Sequence, residues 1–253
     1  MEDFKEKLSN YYNKFNEDKR LTHRHGQVEF ITSMKYINEY LSVGDKVIDI
    51  GAGSGKYSIE LKKLGYDVTA VELCRPNIGK IKVNDPELKV VEANATDLSM
   101  FKDNEFDVAI MFGPMYHLYS KQDKLKALSE AKRITKKYIF VTYIMNEYSV
   151  IEYAFKDNHY KEIKDKLTDD YHIDDKDALF FQVRLEDIDE LNKETNLKLV
   201  KRFASDGPSD YMRSYINDMD EETFNGFIDF HLKTCERKEL LGASSHIVDI
   251  LEK

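Results

Sequence analysis

The stretch VIDIGAGSGKY, Val47 to Tyr57, decides the fold. An apolar run enters it and a helix-forming run leaves it. Between them Asp49, Gly51, Gly53 and Gly55 stand at alternate positions. Glycine lets a backbone turn sharply and approach a ligand without interference from a Cβ atom. A helix beginning just beyond such a turn offers free N–H groups to a polar or anionic ligand.

Two nucleotide-binding patterns fit this stretch poorly. A phosphate-binding loop of the form G-x-x-x-x-G-K-[ST] needs a glycine where Ile50 stands and a hydroxyl where Tyr57 stands. A dinucleotide fingerprint needs a small third residue for close helix–strand packing, and Lys56 occupies that place.

Reading outward, short apolar strands alternate with helices. Strands are expected at 46–51, 67–72, 88–94, 106–113 and 138–144, with helices at Ser54–Leu64 and Asp123–Ile134. Such alternation implies a parallel sheet covered on both faces. Before it, Val28, Ile31, Ile37 and Leu41 recur at helical spacing, so residues 1–41 read as a helical cover. After residue 145 the pattern changes to a tyrosine-rich, charged segment, 146–178. A helix at 185–195, a strand at 197–205, a helical stretch at 221–241 and a last strand near the end follow. The chain therefore reads as one α/β domain, a doubly wound, mainly parallel seven-stranded sheet with helices on both faces. Residues 45–145 form its cofactor-binding core, and 180–205 and 243–253 complete it. The excursions 146–178 and 206–242 are expected to cap the substrate.

Composition narrows the function. With 42% hydrophobic and 12% aromatic residues the chain can bury a sizeable core. A formal net charge of −9, with Lys and Asp/Glu interspersed, argues against a general nucleic-acid binder, which needs a basic stripe. The start, MEDFKEKLSN, lacks the apolar region of a secretory signal, and the longest apolar runs fall far short of a membrane span. Cys74 and Cys235 are far apart, without partners at metal spacing. A cytoplasmic protein with reduced thiols is expected. His23 and His25 stand two apart without a cysteine nearby, so no metal site is expected. No G-x-S-x-G elbow supports a nucleophilic triad, and Ser54 belongs to the glycine turn.

The motif D-x-G-x-G-x-G after the first strand resembles motif I of the class I S-adenosylmethionine-dependent methyltransferases. The resemblance continues in order through VTAVEL, EANATDL, FDVAIMFGPMYHL and ALSEAKRI, covering most of residues 45–145. The flanks YYNKFNEDKRL and RHGQVEF are similar to those of a bacterial small-molecule subgroup. The resemblance implies S-adenosylmethionine as cofactor, with Asp49, Gly51, Ala52, Gly53 and Gly55 cradling it. Glu72 and Leu73 would meet its ribose; an ionised carboxylate is an acceptor suited to two hydroxyls. Asn94 and Ala95 would lie at adenine, with Asp97 as the rival acceptor. Phe112 and Gly113 would stand beside the methyl group. Tyr12 or Arg24, from the N-terminal cover, would hold the methionine carboxylate. Tyr116 and His117 follow the fourth strand, and His117 is the best-placed general base, since imidazole titrates near neutral pH. The implied activity is methyl transfer to a small-molecule acceptor, without a covalent enzyme intermediate. The alternatives are an RNA or protein methyltransferase, a non-catalytic adenosylmethionine-binding module and a nicotinamide-dependent oxidoreductase.

Overall fold

The computed structural model describes residues 2–14 and 21–253; of the sequence-based expectations, part of the cover at 1–41 lies outside these residues. In chain order the principal elements begin with α1 (Glu2–Lys14), α2 (Arg24–Tyr40), β1 (Lys46–Ile50), α3 (Lys56–Lys63) and β2 (Asp67–Glu72). Next come α4 (Arg75–Asn84), β3 (Lys89–Glu92), β4 (Phe106–Met111), α5 (Lys121–Ile134) and β5 (Thr135–Ile144). The last are α6 (Leu185–Glu194), β6 (Lys198–Ala204), α7 (Glu221–Thr234) and β7 (His246–Glu252).

The strands form one seven-stranded sheet in the order β3-β2-β1-β4-β5-β7-β6. β1 pairs in parallel with β2 and with β4, and only β7 runs antiparallel to its neighbours. Val47, Ile48 and Ile50 are fully buried because both faces of the sheet are covered. The chain winds away from β1 in both directions. Its loops therefore diverge at the carboxyl ends of β1 and β4, where doubly wound sheets open a ligand crevice.

Local chemistry sets the element ends. Gly55, at φ +86°, precedes α3, so the helix begins at Lys56 rather than at Ser54. Ser120 caps α5 by accepting from the Asp123 N–H at 3.0 Å, and Asp220 caps α7 through the Thr223 N–H at 2.8 Å. Strand β5 starts at Thr135, three residues earlier than the pattern indicates, and the expected helix 221–241 stops at Thr234. Helix α4 was not anticipated. It buries only Asn77 and Ile81, and Pro76 and Gly79 obscure any helical signal.

The two excursions differ. Residues 146–166 form short helical turns, and the backbone then returns along the cavity as far as Phe181. By contrast, 206–242 packs behind α2, where Val28, Ile216 and Phe224 make a second small core. Among the described residues, none of 206–242 lines the main cavity. No described helix is long and apolar enough to cross a membrane.

Candidate active site

The turn after β1 and the turn after β4 are locked together at the crevice. Gly51 has φ +76°, and a Cβ there would lie 2.6 Å from Cδ of Pro114. Gly113 is equally tight, since a Cβ on it would meet the Gly51 carbonyl oxygen at 2.9 Å. Gly53, at φ +57°, instead faces open space. Gly55 does not line the cavity; a Cβ there would press on Ile81 of α4 at 3.0 Å. The absence of a side chain at Gly55 thus lets α3 and α4 pack closely.

Glu72 ends β2 and is only 5% exposed. Its carboxylate accepts from the Gly53 N–H and from the Cys74 N–H, each at 2.8 Å. Burial raises its pKa, and those two donors with the Asn77 side chain oppose the rise. Asp49 is buried beneath the glycine turn, where Ser58 Oγ donates to it at 2.6 Å. Desolvation, aided by the nearby Glu72 charge, pushes its pKa up to about 6 against the Ser58 bond.

These groups open onto one cavity of about 490 Å³. That lies within the roughly 300–1,000 Å³ of small-molecule pockets. Asp49, Gly51, Ala52, Gly53, Glu72, Leu73, Asn94 and Ala95 line it. Phe112, Gly113, Tyr116 and His117 line it too, together with Tyr12 of α1. Asp97 and Arg24 are not among the lining residues. The Asp97 carboxylate accepts from the Ser99 N–H at 3.2 Å, and Arg24 lies over the Phe224 ring at 5.5 Å.

Asn77 was missed because it belongs to the unanticipated α4. It lines the cavity, and its Oδ1 is buried with no hydrogen-bond partner. Glu29 of α2 also lines the cavity, and only the fold brings it there. It stands with Asp206 and His246 so that three ligand-capable atoms fall within 4.8 Å of one another. Asp206 is engaged by hydrogen bonds there, accepting from Ser244 Oγ at 2.6 Å and the His246 N–H at 3.0 Å, with His246 Nδ1 at 2.7 Å.

The turn Pro114–His117 is held from several sides. The Tyr116 hydroxyl donates to the Phe112 carbonyl at 2.8 Å. Lys124 of α5 donates to the carbonyls of Leu118 and Tyr119. His117 Nδ1 lies 2.7 Å from the Leu179 carbonyl and Nε2 lies 2.8 Å from the Tyr12 hydroxyl. Burial pushes the His117 pKa down to about 4, since the Leu179 bond only partly offsets desolvation.

A glycine turn, a buried carboxylate at the tip of the second strand and an aromatic turn after the fourth line one cavity. The methyltransferase domain family matches residues 48–140. A demethylmenaquinone methyltransferase of Paenarthrobacter aurescens is 37% identical over 100 residues, 38% of this chain and 36% of that one. An rRNA adenine N-6-methyltransferase of Limosilactobacillus reuteri is 28% identical over 135 residues, 50% of this chain and 49% of that one. The chain thus spans between about a third and a half of the length of these curated relatives. A SAM-dependent methyltransferase from Archaeoglobus fulgidus shares the fold at a TM-score of 0.58 and 17% identity, over 92% of this chain and 97% of that one.

Proposed function

We propose that this chain, whose residues 48–140 belong to the class I S-adenosylmethionine-dependent methyltransferases, methylates a small-molecule acceptor enclosed with the cofactor. The carrying observation is that one cavity is lined by Gly53 and Glu72 and also by Tyr116, His117 and Tyr12 of α1. A nucleic-acid acceptor would call for a basic approach, whereas the chain carries a formal net charge of −9.

The residues at the glycine end fit the cofactor. Asn77 Oδ1 is a buried acceptor without a partner, Gly53 leaves space for close backbone approach, and Glu72 keeps acceptor capacity beyond its two amide bonds. Gly51, Gly53, Glu72 and Asn77 would hold the nucleoside part, with Asn94 and Ala95 beside the base. Bound there, S-adenosylmethionine supplies a methyl group on a positively charged sulfur. Phe112, Gly113 and Tyr116 would orient the acceptor, and the cover would exclude water from it. His117, neutral at physiological pH, would be the proton-accepting group.

Calorimetry with S-adenosylhomocysteine, followed by an acceptor screen that detects its release from the methyl donor, tests the reading. S-adenosylhomocysteine should bind and raise the melting temperature, and NAD should not. Binding of NAD alone would refute the assignment. Turnover confined to rRNA or protein acceptors, as the name of the Limosilactobacillus relative suggests, would replace the small molecule by a macromolecule.

A further inference from the structure

Tyr12, His117 and Leu179 belong to three separate parts of the chain: the cover helix, the turn after β4 and the return from the long excursion. They meet in a single hydrogen-bonded line. A carbonyl oxygen can only accept, so the proton of neutral His117 lies on Nδ1, 2.7 Å from the Leu179 oxygen. Its Nε2 is then an acceptor, and the Tyr12 hydroxyl, 2.8 Å away, must donate to it. The hydrogen bonds thus fix the direction in which a proton can move: from Tyr12 toward His117. Tyr12 and His117 both line the cavity.

We propose that Tyr12 and His117 form a proton relay, with Tyr12 Oη touching the methyl acceptor, and that the acceptor is a hydroxyl group on an aromatic ring. This rests on the methyltransferase reading above and deepens it. As the acceptor oxygen forms its bond to the methyl carbon, the carbon–sulfur bond breaks and its electron pair stays on sulfur. The hydroxyl proton passes to Tyr12 Oη while the Tyr12 proton passes to His117 Nε2. The products are a methyl ether, a neutral thioether and an imidazolium, which returns its proton to solvent after release.

The need for a base selects the acceptor. Burial keeps His117 a weak base, with a pKa of about 4. An oxygen that gains a methyl group while still bearing its proton becomes a far stronger acid than that imidazolium, so transfer is downhill. A neutral amine becomes an ammonium on methylation and has no such proton to lose, so the relay serves a hydroxyl and not an amine. The walls agree with an aromatic acceptor: Phe4, Phe112, Tyr116, Tyr119 and Phe181 line the cavity. Phe180 stacks on Tyr116 with ring centroids 5.9 Å apart and backs the His117 ring at 4.9 Å. The relay depends on α1 being closed. Lys5 pairs with Glu92 at 2.9 Å and Lys80 donates to the Tyr12 carbonyl at 2.8 Å, which pins that helix over the site.

The test uses the full chain with S-adenosylhomocysteine and 2-naphthol as probe, comparing wild type with Tyr12→Phe, which removes one oxygen atom. Nitrogen NMR of labelled histidine should show His117 protonated on Nδ1 at pH 7. Tyr12→Phe should shift its Nε2 resonance. Calorimetry should show 2-naphthol binding weakened at least tenfold in the variant when both proteins are saturated with S-adenosylhomocysteine. Turnover of naphthol-type acceptors should fall at least a hundredfold in Tyr12→Phe. Wild type that fails to bind S-adenosylhomocysteine would overturn both the relay and the methyltransferase reading. Binding of S-adenosylhomocysteine with a proton on Nε2, or naphthol binding and turnover unchanged in Tyr12→Phe, would overturn the relay alone.

Discussion

Gly51 faces Pro114 so closely that a Cβ on Gly51 would stand 2.6 Å from Cδ of the proline ring. Gly53, two residues on, has nothing within 4 Å of the same imagined atom. Both have positive φ, a conformation that costs an alanine roughly 1–2 kcal/mol. Gly51→Ala must in addition move Pro114 and the turn carrying His117. It is expected to lower the melting temperature well beyond the roughly 2–4 °C per kcal/mol of backbone strain in a chain of this size. Gly53→Ala should stay within that range and lose at least tenfold in S-adenosylhomocysteine affinity, because the added methyl group points into ligand space. Thermal melts and calorimetry on the two variants check the contrast. Equal destabilisation would show that the turns are not interlocked.

Asp49 gives a pH prediction. Burial raises its pKa from 3.8 to about 6, so the folded state holds this proton more tightly than the unfolded chain does. The stability it contributes is therefore full below about pH 4 and is lost as pH rises through about 6. Asp49→Asn removes that loss and keeps an oxygen for the Ser58 hydroxyl. Relative to wild type it should gain on the order of 2 kcal/mol between pH 4 and pH 7. Urea unfolding across that range measures the difference. A variant that gains nothing as pH rises would place the Asp49 pKa near its ordinary value.

The parts legible in the sequence are those where one short stretch decides the outcome. The second strand, Asp67–Glu72, is legible to the residue because Val68, Ala70 and Val71 form a short apolar run bounded by Asp67 and Glu72, and the strand buries most of it. Glu72 could be found from its place at the tip of that strand. Asn77 could not, since α4 buries two side chains and offers no periodicity. Gly55 was read as a ligand contact because φ > 0 and close packing call for the same residue type, and only the position of Ile81 separates the two. The Tyr12–His117 contact spans 105 residues of chain and has no local signal. The supporting role of 206–242 likewise rests on Val28, which lies far upstream.

At the far edge of the sheet, stability can be separated from the site. Arg202 of β6 makes two hydrogen bonds to Asp249 of β7, at 2.6 and 2.8 Å, and Asn192 of α6 donates to the same carboxylate at 2.7 Å. Asp249 is fully buried, and its desolvation outweighs these partners and raises its pKa. Removing the guanidinium leaves a buried carboxylate short of its main partner, a loss of about 3–5 kcal/mol. Arg202→Met should therefore unfold at markedly lower urea, with S-adenosylhomocysteine affinity at low temperature unchanged. Replacing both charges, as Arg202→Met with Asp249→Leu, should recover much of the loss. Failure of the double variant to recover would point to a packing fault rather than an unpaired charge.

His117 titrates with the opposite sign to Asp49. Its folded pKa, about 4, lies below the ordinary 6.5, so the folded protein holds this proton less tightly than the unfolded chain does. The stability it contributes is present above about pH 6.5 and is lost as pH falls through about 4. His117→Asn abolishes that dependence. Wild type should thus lose on the order of 2–3 kcal/mol relative to the variant between pH 7 and pH 4. In kinetics, kcat/KM for an acceptor should be flat from about pH 8 down to about pH 5, with no step near 6.5 arising from this residue. His117→Asn should lower turnover about a hundredfold or more while leaving cofactor affinity within a few-fold, since a general base acts in the transition state. Near-normal turnover in a folded His117→Asn protein would assign the histidine to holding the turn against Leu179 and remove it from the chemistry.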